Sequence, residues 1–358
     1  MKKHNFFAGP AILPTSVIKE ASEAAADWNG MGLSILEISH RSKEFVAIMD
    51  EAEALIRELL NVSDDYAVLF LTGGASSQFY MTAMNLLGKD ETACYTDTGS
   101  WSTKAIKEAK LFGNVEVLAS SEDKNFSYIP KDYEIPAHAK YVHLTSNNTI
   151  FGTQLQEFPA TDTPLVCDMS SDIFSRPIDV NRFDLIYAGA QKNLGPAGVT
   201  LVIVKKDVLG KVERVIPTML DYRTHVKKQS SFNTPPVYPI FVCTLTLRWL
   251  KAHGGLAAMQ TKNEAKAKLL YDAIDANPCF KCSVAKEDRS LMNVNFVLNE
   301  SYEELADKFL AATAAANCVG LKGHRSVGGF RASIYNAMPI ESVKVLVDVM
   351  NAFGKENG

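Results

Sequence analysis

The sequence predicts an α/β layer architecture: a mixed, mostly parallel central sheet followed by a smaller C-terminal α/β unit. Three observations carry this expectation. Between about Tyr66 and Val204, short β-rich apolar runs alternate with helical patterns, the signature of strands buried between helices. One pair of runs, ending at Ala188 and starting at Val199, is joined only by a short Gly/Pro-containing loop. That loop is too short for a crossover helix and implies an antiparallel partner. After about Gly254 the spacing changes to longer helical stretches separated by isolated strands.

In chain order, the runs Ala67-Leu71, Thr92-Tyr95, Val115-Leu118, Tyr141-Leu144, Leu165-Cys167, Leu185-Ala188 and Val199-Val204 are expected as buried strands. Gln78-Leu87 and Ser102-Lys110 are expected as helices between them. Ser230-Pro239, with Pro235, Pro236 and Pro239, is too proline-rich for a helix interior and reads as an extended loop. The C-terminal unit is expected to hold helices near Leu256-Ala276, Tyr302-Ala316 and Ile340-Phe353, with strands at Met292-Leu298 and Gly329-Tyr335. The chain is thus divided into an N-terminal arm (1–15), a large unit (16–254) and a small C-terminal unit (255–358).

Composition narrows the function classes. The 358 residues carry 37 Lys+Arg against 41 Asp+Glu, a formal charge of −4, with 47% hydrophobic and 22% charged residues. Such a chain buries a large core and is neither disordered nor fibrous. There is no basic block of the kind that nucleic-acid binding by phosphate neutralisation demands. The start, Met1-Lys2-Lys3 followed by Phe6-Phe7, is interrupted by Pro10 and Pro14 and lacks a small-residue cleavage site. No apolar run approaches the roughly 18 residues of a spanning helix, so a soluble, cytoplasmic protein with no membrane partner is expected. Six scattered cysteines do not form the dense framework of a small secreted domain, and Cys279-Phe280-Lys281-Cys282 has no second CxxC or paired histidines at zinc spacing. No metal site is expected.

Four stretches carry chemistry. Leu71-Thr72-Gly73-Gly74-Ala75-Ser76-Ser77-Gln78 is a glycine turn between a strand and a helix, where open backbone amides and the helix dipole favour an anion. It is neither GxGxxG nor a Walker loop, and a plain capped turn is the other reading. In Val166-Cys167-Asp168-Met169-Ser170-Ser171, Asp168 ends a buried strand, at the edge where open α/β sheets collect ligands; a turn or cap residue is the alternative. In Ala188-Gly189-Ala190-Gln191-Lys192-Asn193-Leu194-Gly195, a lysine follows a buried strand among small residues. Burial there favours the neutral amine that Schiff-base chemistry requires. Gly323-His324-Arg325-Ser326-Val327-Gly328-Gly329-Phe330-Arg331 sets a histidine and two arginines among glycines, suited to a small doubly charged anion. Ser39-His40-Arg41-Ser42 repeats the His-Arg pairing, and Trp101 after Thr98-Gly99-Ser100 offers a ring for stacking.

Together these pieces match the needs of a pyridoxal-phosphate enzyme. Over essentially its full length the chain resembles the phosphoserine aminotransferase family, within the class V pyridoxal-phosphate-dependent aminotransferases. The resemblance runs from Phe6-Phe7-Ala8-Gly9-Pro10-Ala11 through Ser39-His40-Arg41-Ser42-Lys43-Glu44-Phe45, Ala188-Gly189-Ala190-Gln191-Lys192-Asn193, Phe232-Asn233-Thr234-Pro235-Pro236 and Lys322-Gly323-His324-Arg325 to Gly329-Phe330-Arg331-Ala332-Ser333-Ile334-Tyr335-Asn336. It implies the aspartate-aminotransferase-like fold (pyridoxal-phosphate fold type I). It also implies a homodimer with shared active sites, and amino transfer between L-glutamate and 3-phosphohydroxypyruvate to give O-phospho-L-serine and 2-oxoglutarate in serine biosynthesis. 4-Phosphohydroxythreonine, in vitamin B6 synthesis, is a further implied substrate.

By the same resemblance Lys192 carries pyridoxal 5'-phosphate as a Schiff base and Asp168 pairs with the pyridine nitrogen. Trp101 stacks on the ring, and Ala75, Ser76, Thr149 and Gln191 contact the cofactor. Asn233 and Thr234 reach its phosphate from the neighbouring subunit. Arg331 is the implied clamp for the substrate α-carboxylate, while His324 and Arg325, with His40 and Arg41 of the neighbouring subunit, hold the substrate phosphate or the glutamate side-chain carboxylate. Ser76 is a departure: some members carry an arginine there, so backbone amides, the helix dipole and hydroxyls must do more of the phosphate neutralisation. Rival readings are an alanine–glyoxylate aminotransferase, a cysteine desulfurase using a mobile cysteine (Cys318 is the nearest in sequence), and a non-catalytic anion-binding protein.

Overall fold

The alternation of Tyr66–Leu71 already contains the layering of the large unit. Ala67, Leu69 and Leu71 join one apolar cluster while Val68 and Phe70 join another, because successive strand side chains point to opposite faces. A strand with two apolar faces must be covered on both sides. The computed structural model describes residues 3–358, so Met1-Lys2 of the N-terminal stretch lies outside the described residues.

The N-terminal segment forms β1 (His4–Asn5), α1 (Thr15–Ala26) and α2 (Lys43–Leu60). The large sheet and its helices follow as β2 (Tyr66–Leu71), α3 (Gly74–Leu86), β3 (Thr92–Asp97), α4 (Ser100–Ala109), β4 (Asn114–Ser120), β5 (Val142–Thr145), β6 (Leu165–Asp168), β7 (Phe183–Gly189) and β8 (Thr200–Lys205). Helices α5 (Tyr222–Lys227), α6 (Val237–Ala252) and α7 (Gly255–Ala276) lead to β9 (Phe280–Lys281), β10 (Asn293–Leu298), α8 (Ala306–Ala315), β11 (Cys318–Val319), β12 (Phe330–Ser333) and α9 (Ile340–Asn357).

The seven-stranded sheet has the order β2-β8-β7-β6-β5-β3-β4. Strand β8 runs antiparallel to both β2 and β7, and the other adjacent pairs are parallel. The mixed, mostly parallel sheet and the β7–β8 hairpin are therefore as the sequence implies. The carboxyl ends of β2, β3, β5, β6 and β7 all open on one edge. The second sheet is antiparallel, β12-β10-β9, and its residues Val294, Phe296 and Phe330 pack with α7 and α9 in a separate cluster. Helix α7 serves both cores, with Leu256 and Met259 in one and Leu270 and Ile274 in the other. The N-terminal segment docks on the C-terminal part: β1 pairs with β11, and Phe6 and Ile12 join its cluster.

Several expectations need correction. β4 is expected as a buried strand but is an edge with alternating exposure, Val117 being 42% exposed; an edge strand has a neighbour on one side only. The proline-rich run ends earlier than expected, since Pro239 sits in the first turn of α6, where a missing N–H costs nothing. The helix expected over Tyr302-Ala316 is a 3₁₀ segment (Glu300–Leu305) before α8. The two-residue strands β1 and β11 have no local signature, because each is defined by a partner over 300 residues away. All six cysteines are free thiols, with Cys279 buried and Cys282 half-buried on either side of β9. Among the described residues no helix is long and apolar enough to cross a membrane, and no group of three or more His, Cys, Asp or Glu is placed to hold a metal ion.

Candidate active site

Five strand ends deliver the site. The β2–α3 turn begins with Thr72-Gly73 and runs straight into the first turn of α3. Gly73 has φ +97°, a left-handed backbone where a Cβ would also meet Ser77 Oγ at 2.7 Å. At Gly74 (φ +67°) a Cβ would meet nothing within 4 Å, so open space lies directly beside the helix N-terminus. The first N–H groups of a helix have no intrahelical acceptor and carry its positive dipole end. The Ser77 hydroxyl is turned inward, within reach of the Gly74 and Thr72 carbonyls, leaving the amides of Gly74, Ala75 and Ser76 to face outward as a candidate anion cradle.

A cavity of about 380 Å³ opens at this edge. It is lined by Ala75 and Ser76 from α3, Trp101 from α4, Thr149 after β5, Asp168 at the end of β6, Gln191 and Lys192 after β7, and His324 and Arg331 from the C-terminal part. Nine of the residues singled out from sequence thus meet in one place. Asp168 is buried; its Oδ1 accepts the Ser170 N–H at 2.9 Å. Burial pushes its carboxyl up, and the Lys192 charge and the Ser170 hydrogen bonds pull it back. Burial brings the Lys192 amine down to about 8, with Asp168 opposing and Arg331 adding to the shift. Lys192 Nζ donates to Thr149 Oγ1 at 2.7 Å and lies 5.9 Å from the Trp101 ring centroid.

Two donors in this wall lack partners. Trp101 Nε1 and Arg331 Nε are buried without a hydrogen bond, and an unpaired buried donor costs about 1–3 kcal/mol. Arg331 spends one N–H on the Thr149 carbonyl at 3.2 Å. The rest of its fork is available to an anion. Burial lowers the His324 imidazole, and the nearby charges of Arg331, Arg325 and Lys104 lower it further. Lys104 was missed in the sequence, although it lies one helical turn beyond Trp101 and stacks over its ring at 4.5 Å; the i,i+3 spacing is the signal that finds it. Ala8 and Gly9 also line the cavity, which no local pattern announces.

The remaining expected residues lie elsewhere in the single chain. Arg325 is exposed on the loop that carries His324. His40 is half-buried with an unpartnered Nε2, and Arg41 is exposed. Asn233 and Thr234 are exposed; Asn233 lines a separate cavity of about 190 Å³ that also touches Thr72, Gly73 and Ser77. These are the residues, Arg325 aside, that the resemblance assigns to a neighbouring subunit.

Comparison with known proteins decides the family. The sequence matches the family described as Aminotransferase class-V over residues 4–346. The chain belongs to the class-V aminotransferases. Among curated relatives, a phosphoserine aminotransferase of Parabacteroides distasonis is 60% identical over 357 residues, covering all of both chains. The structure of phosphoserine aminotransferase from Bacillus circulans subsp. alkalophilus aligns with a TM-score of 0.96 at 48% identity, covering 100% of this chain and 99% of that one. A phosphoserine aminotransferase from Trichomonas vaginalis with bound pyridoxal phosphate aligns with a TM-score of 0.93 at 38% identity, covering 98% of this chain and all of that one. The aspartate-aminotransferase-like fold expected from the class-V resemblance is the fold observed. The desulfurase alternative needs a mobile, reactive thiol, whereas Cys318 is buried in β11 and burial pushes its thiol up to about 11.

Proposed function

We propose that this chain uses pyridoxal 5'-phosphate to move an amino group between L-glutamate and 3-phosphohydroxypyruvate, forming O-phospho-L-serine and 2-oxoglutarate. The observation that carries the reading is one cavity holding a desolvated lysine, a buried strand-end carboxylate, His324 and Arg331, with Lys104 close by over the Trp101 ring. The residues fit the cofactor. The open space at Gly74 beside the α3 N-terminus suits a phosphate, Asp168 suits a protonated ring nitrogen, and the unpartnered Trp101 Nε1 belongs to a ring that can stack on a flat ligand. When bound, pyridoxal phosphate supplies the electron sink for loss of the substrate Cα proton.

The chain's own residues do the rest. Asp168 holds positive charge at the ring nitrogen, a role for a buried ionised carboxylate. Lys192 would hold the cofactor, and its free amine would carry the proton at Cα as a general base and acid; an amine near 8 is matched to that exchange. The Arg331 fork binds the α-carboxylate common to both amino acids. His324, Arg325 and Lys104 supply charge to a distal phosphate or γ-carboxylate. The same groups suit 4-phosphohydroxythreonine, which we propose as a further substrate. The test is the absorption of cofactor-loaded protein on adding O-phosphoserine, glutamate, alanine or cysteine. Conversion by the first two alone is expected. A response to alanine or cysteine instead would move the chain to another activity of the class.

We further propose a cytoplasmic homodimer that shares its sites, with His40, Arg41, Asn233 and Thr234 serving the neighbouring subunit's cavity. Support comes from their absence from the lining of this chain's own cavity and from exposed apolar side chains at Ile18, Met31, Leu33, Leu36 and Val46. Sedimentation of the loaded enzyme tests it, a monomer at working concentration counting against it.

A further inference from the structure

Asn193 directly follows the lysine of the site, yet it is buried and forms no part of the cavity wall. Its side chain is spent on two other segments. Oδ1 accepts the backbone N–H of Asn336 at 3.0 Å, and Nδ2 donates to the Ser171 carbonyl at 3.3 Å. An amide suits the place because one end must accept an N–H while the other donates to a carbonyl. Asn336 lies just beyond β12, the strand of Arg331, and is itself anchored: its Nδ2 donates to the Phe174 carbonyl at 2.9 Å, and its Oδ1 accepts from Asn263 Nδ2 of α7 at 2.8 Å. Asn193 therefore joins the segments that carry Lys192, Asp168 and Arg331.

On the cavity side, the Lys192 and Arg331 side chains meet on Thr149. Lys192 Nζ donates to its hydroxyl at 2.7 Å and Arg331 Nη1 to its carbonyl at 3.2 Å. The contacts close a ring, with Lys192 and Arg331 joined through Thr149 at their side chains and through Asn193 and Asn336 at their backbones. Such a ring fixes the spacing of the two groups by protein contacts alone. We propose that Asn193 is a positioning residue for the reaction: by accepting the Asn336 N–H it holds the Lys192 amine in register with the Arg331 guanidinium, and so with the Cα hydrogen of an amino acid whose carboxylate Arg331 binds. That carboxylate is bonded to Cα itself, so the amine and the guanidinium must keep one separation for the proton to pass.

This inference rests on Lys192 being the reacting amine, and the two fail differently. Borohydride reduction of the cofactor-loaded full-length protein, followed by peptide mapping, must place the cofactor on Lys192; another attachment site overturns the reading beneath the proposal. The proposal itself is tested by single-turnover absorbance with O-phosphoserine. Asn193→Ala is compared in protein with Lys192 and in Lys192→Ala protein supplied with methylamine as a diffusible base. A misplaced catalytic group costs up to about a hundredfold, so with Lys192 present a fall of about ten- to hundredfold is expected. With methylamine no tethered amine is left to misplace, and Asn193→Ala is expected to change the rate by less than about twofold. An equal loss in both backgrounds would make Asn193 a purely structural residue and overturn the proposal. An unchanged rate with Lys192 present does the same.

A second readout needs no turnover. In cofactor-free full-length protein, the pH dependence of trace labelling of Lys192 by acetic anhydride, read against exposed Lys268 by mass spectrometry, follows the titration of the amine. Burial is the main cause of its low value of about 8, and Asp168, Asp172 and Arg331 are the charges that face it. Asn193→Ala alters none of those charges but loosens the burial, so the midpoint is expected to rise by about one pH unit. An unmoved midpoint would show that the amine keeps its place without Asn193, and overturns the proposal. Asn193→Ser, whose hydroxyl is too short to reach the Asn336 N–H, carries both measurements if the alanine variant does not fold, with the same outcomes deciding.

Discussion

Lys266 reaches from the middle of α7 to the segment just after the strand that carries Arg331, its Nζ donating to the Tyr335 carbonyl at 2.7 Å and the Ile334 carbonyl at 2.9 Å. Lys266 as a whole is 2% exposed. Next to it on the helix, Asn263 binds Asn336 Oδ1 at 2.8 Å, and the Asn336 N–H binds Asn193 Oδ1 at 3.0 Å, one residue from Lys192. The two halves of the site are thus tied through hydrogen bonds between buried polar groups.

Burial pulls the Lys266 amine down to about 7 from its ordinary value near 10.5, with Lys262 adding to the shift. The unfolded chain therefore binds more protons than the native one between about pH 7 and 10.5. Stability linked to this group rises with pH through that window and is lowest below it. Thermal melts of cofactor-free protein from pH 6.5 to 9.5 should show a smaller rise in Tm for Lys266→Met than for the unaltered chain. An identical slope in both would show that the amine titrates normally.

Lys192→Ala should abolish turnover while leaving the fold intact, because the side chain is half-buried and makes one hydrogen bond, to Thr149. Loss of a positioned acid and base alone costs about 10²–10⁴-fold, and loss of the covalent anchor adds to that. Single-turnover absorbance with O-phosphoserine is the measurement. Near-normal rates in this variant would end the mechanism.

The site was legible where chemistry and local structure coincide. Asp168 and Lys192 each follow a buried apolar strand at the edge where ligands collect, and Gly73-Gly74 sits between a clear strand and a clear helix. Such signals are carried by a few adjacent residues. Lys104 was hidden because a lysine on a polar helix face is the commonest surface residue, and only the packing of α4 brings it over Trp101. The contribution of Ala8 and Tyr335 is a contact across 327 positions, set by the docking of the N-terminal segment on the C-terminal core. β4 had an apolar pattern, but its place at the sheet edge follows from strand order, which periodicity does not encode. Pro239 misled in the opposite direction, since a proline that ends a loop and one that begins a helix look alike in sequence.

Arg331→Ala should raise KM for glutamate and for O-phosphoserine alike. Its fork has an unpartnered Nε in the cavity wall, and both amino acids present the same α-carboxylate. A charged hydrogen bond is worth about 1.5–3 kcal/mol, so an increase of about 10- to 100-fold is expected for each. Weakening of only one substrate in steady-state kinetics would assign Arg331 to the distal anion instead.

His324 should take up a proton when a doubly charged substrate binds. In the free protein its imidazole is held below the ordinary histidine value, first by burial and then by Arg331, Arg325 and Lys104. A phosphate dianion among these groups reverses the sign of the local field and favours the imidazolium. Binding must then weaken as pH rises above the free-site value, since each complex gains a proton that the solvent gives up less readily. The measurement is titration calorimetry of O-phosphoserine into Lys192→Ala protein at pH 7.5 in two buffers of different ionisation enthalpy. A buffer-dependent heat corresponding to proton uptake is expected, and it should vanish in the His324→Asn background. Equal heats in both buffers would show that the phosphate is held by the arginines and Lys104 without the histidine's charge.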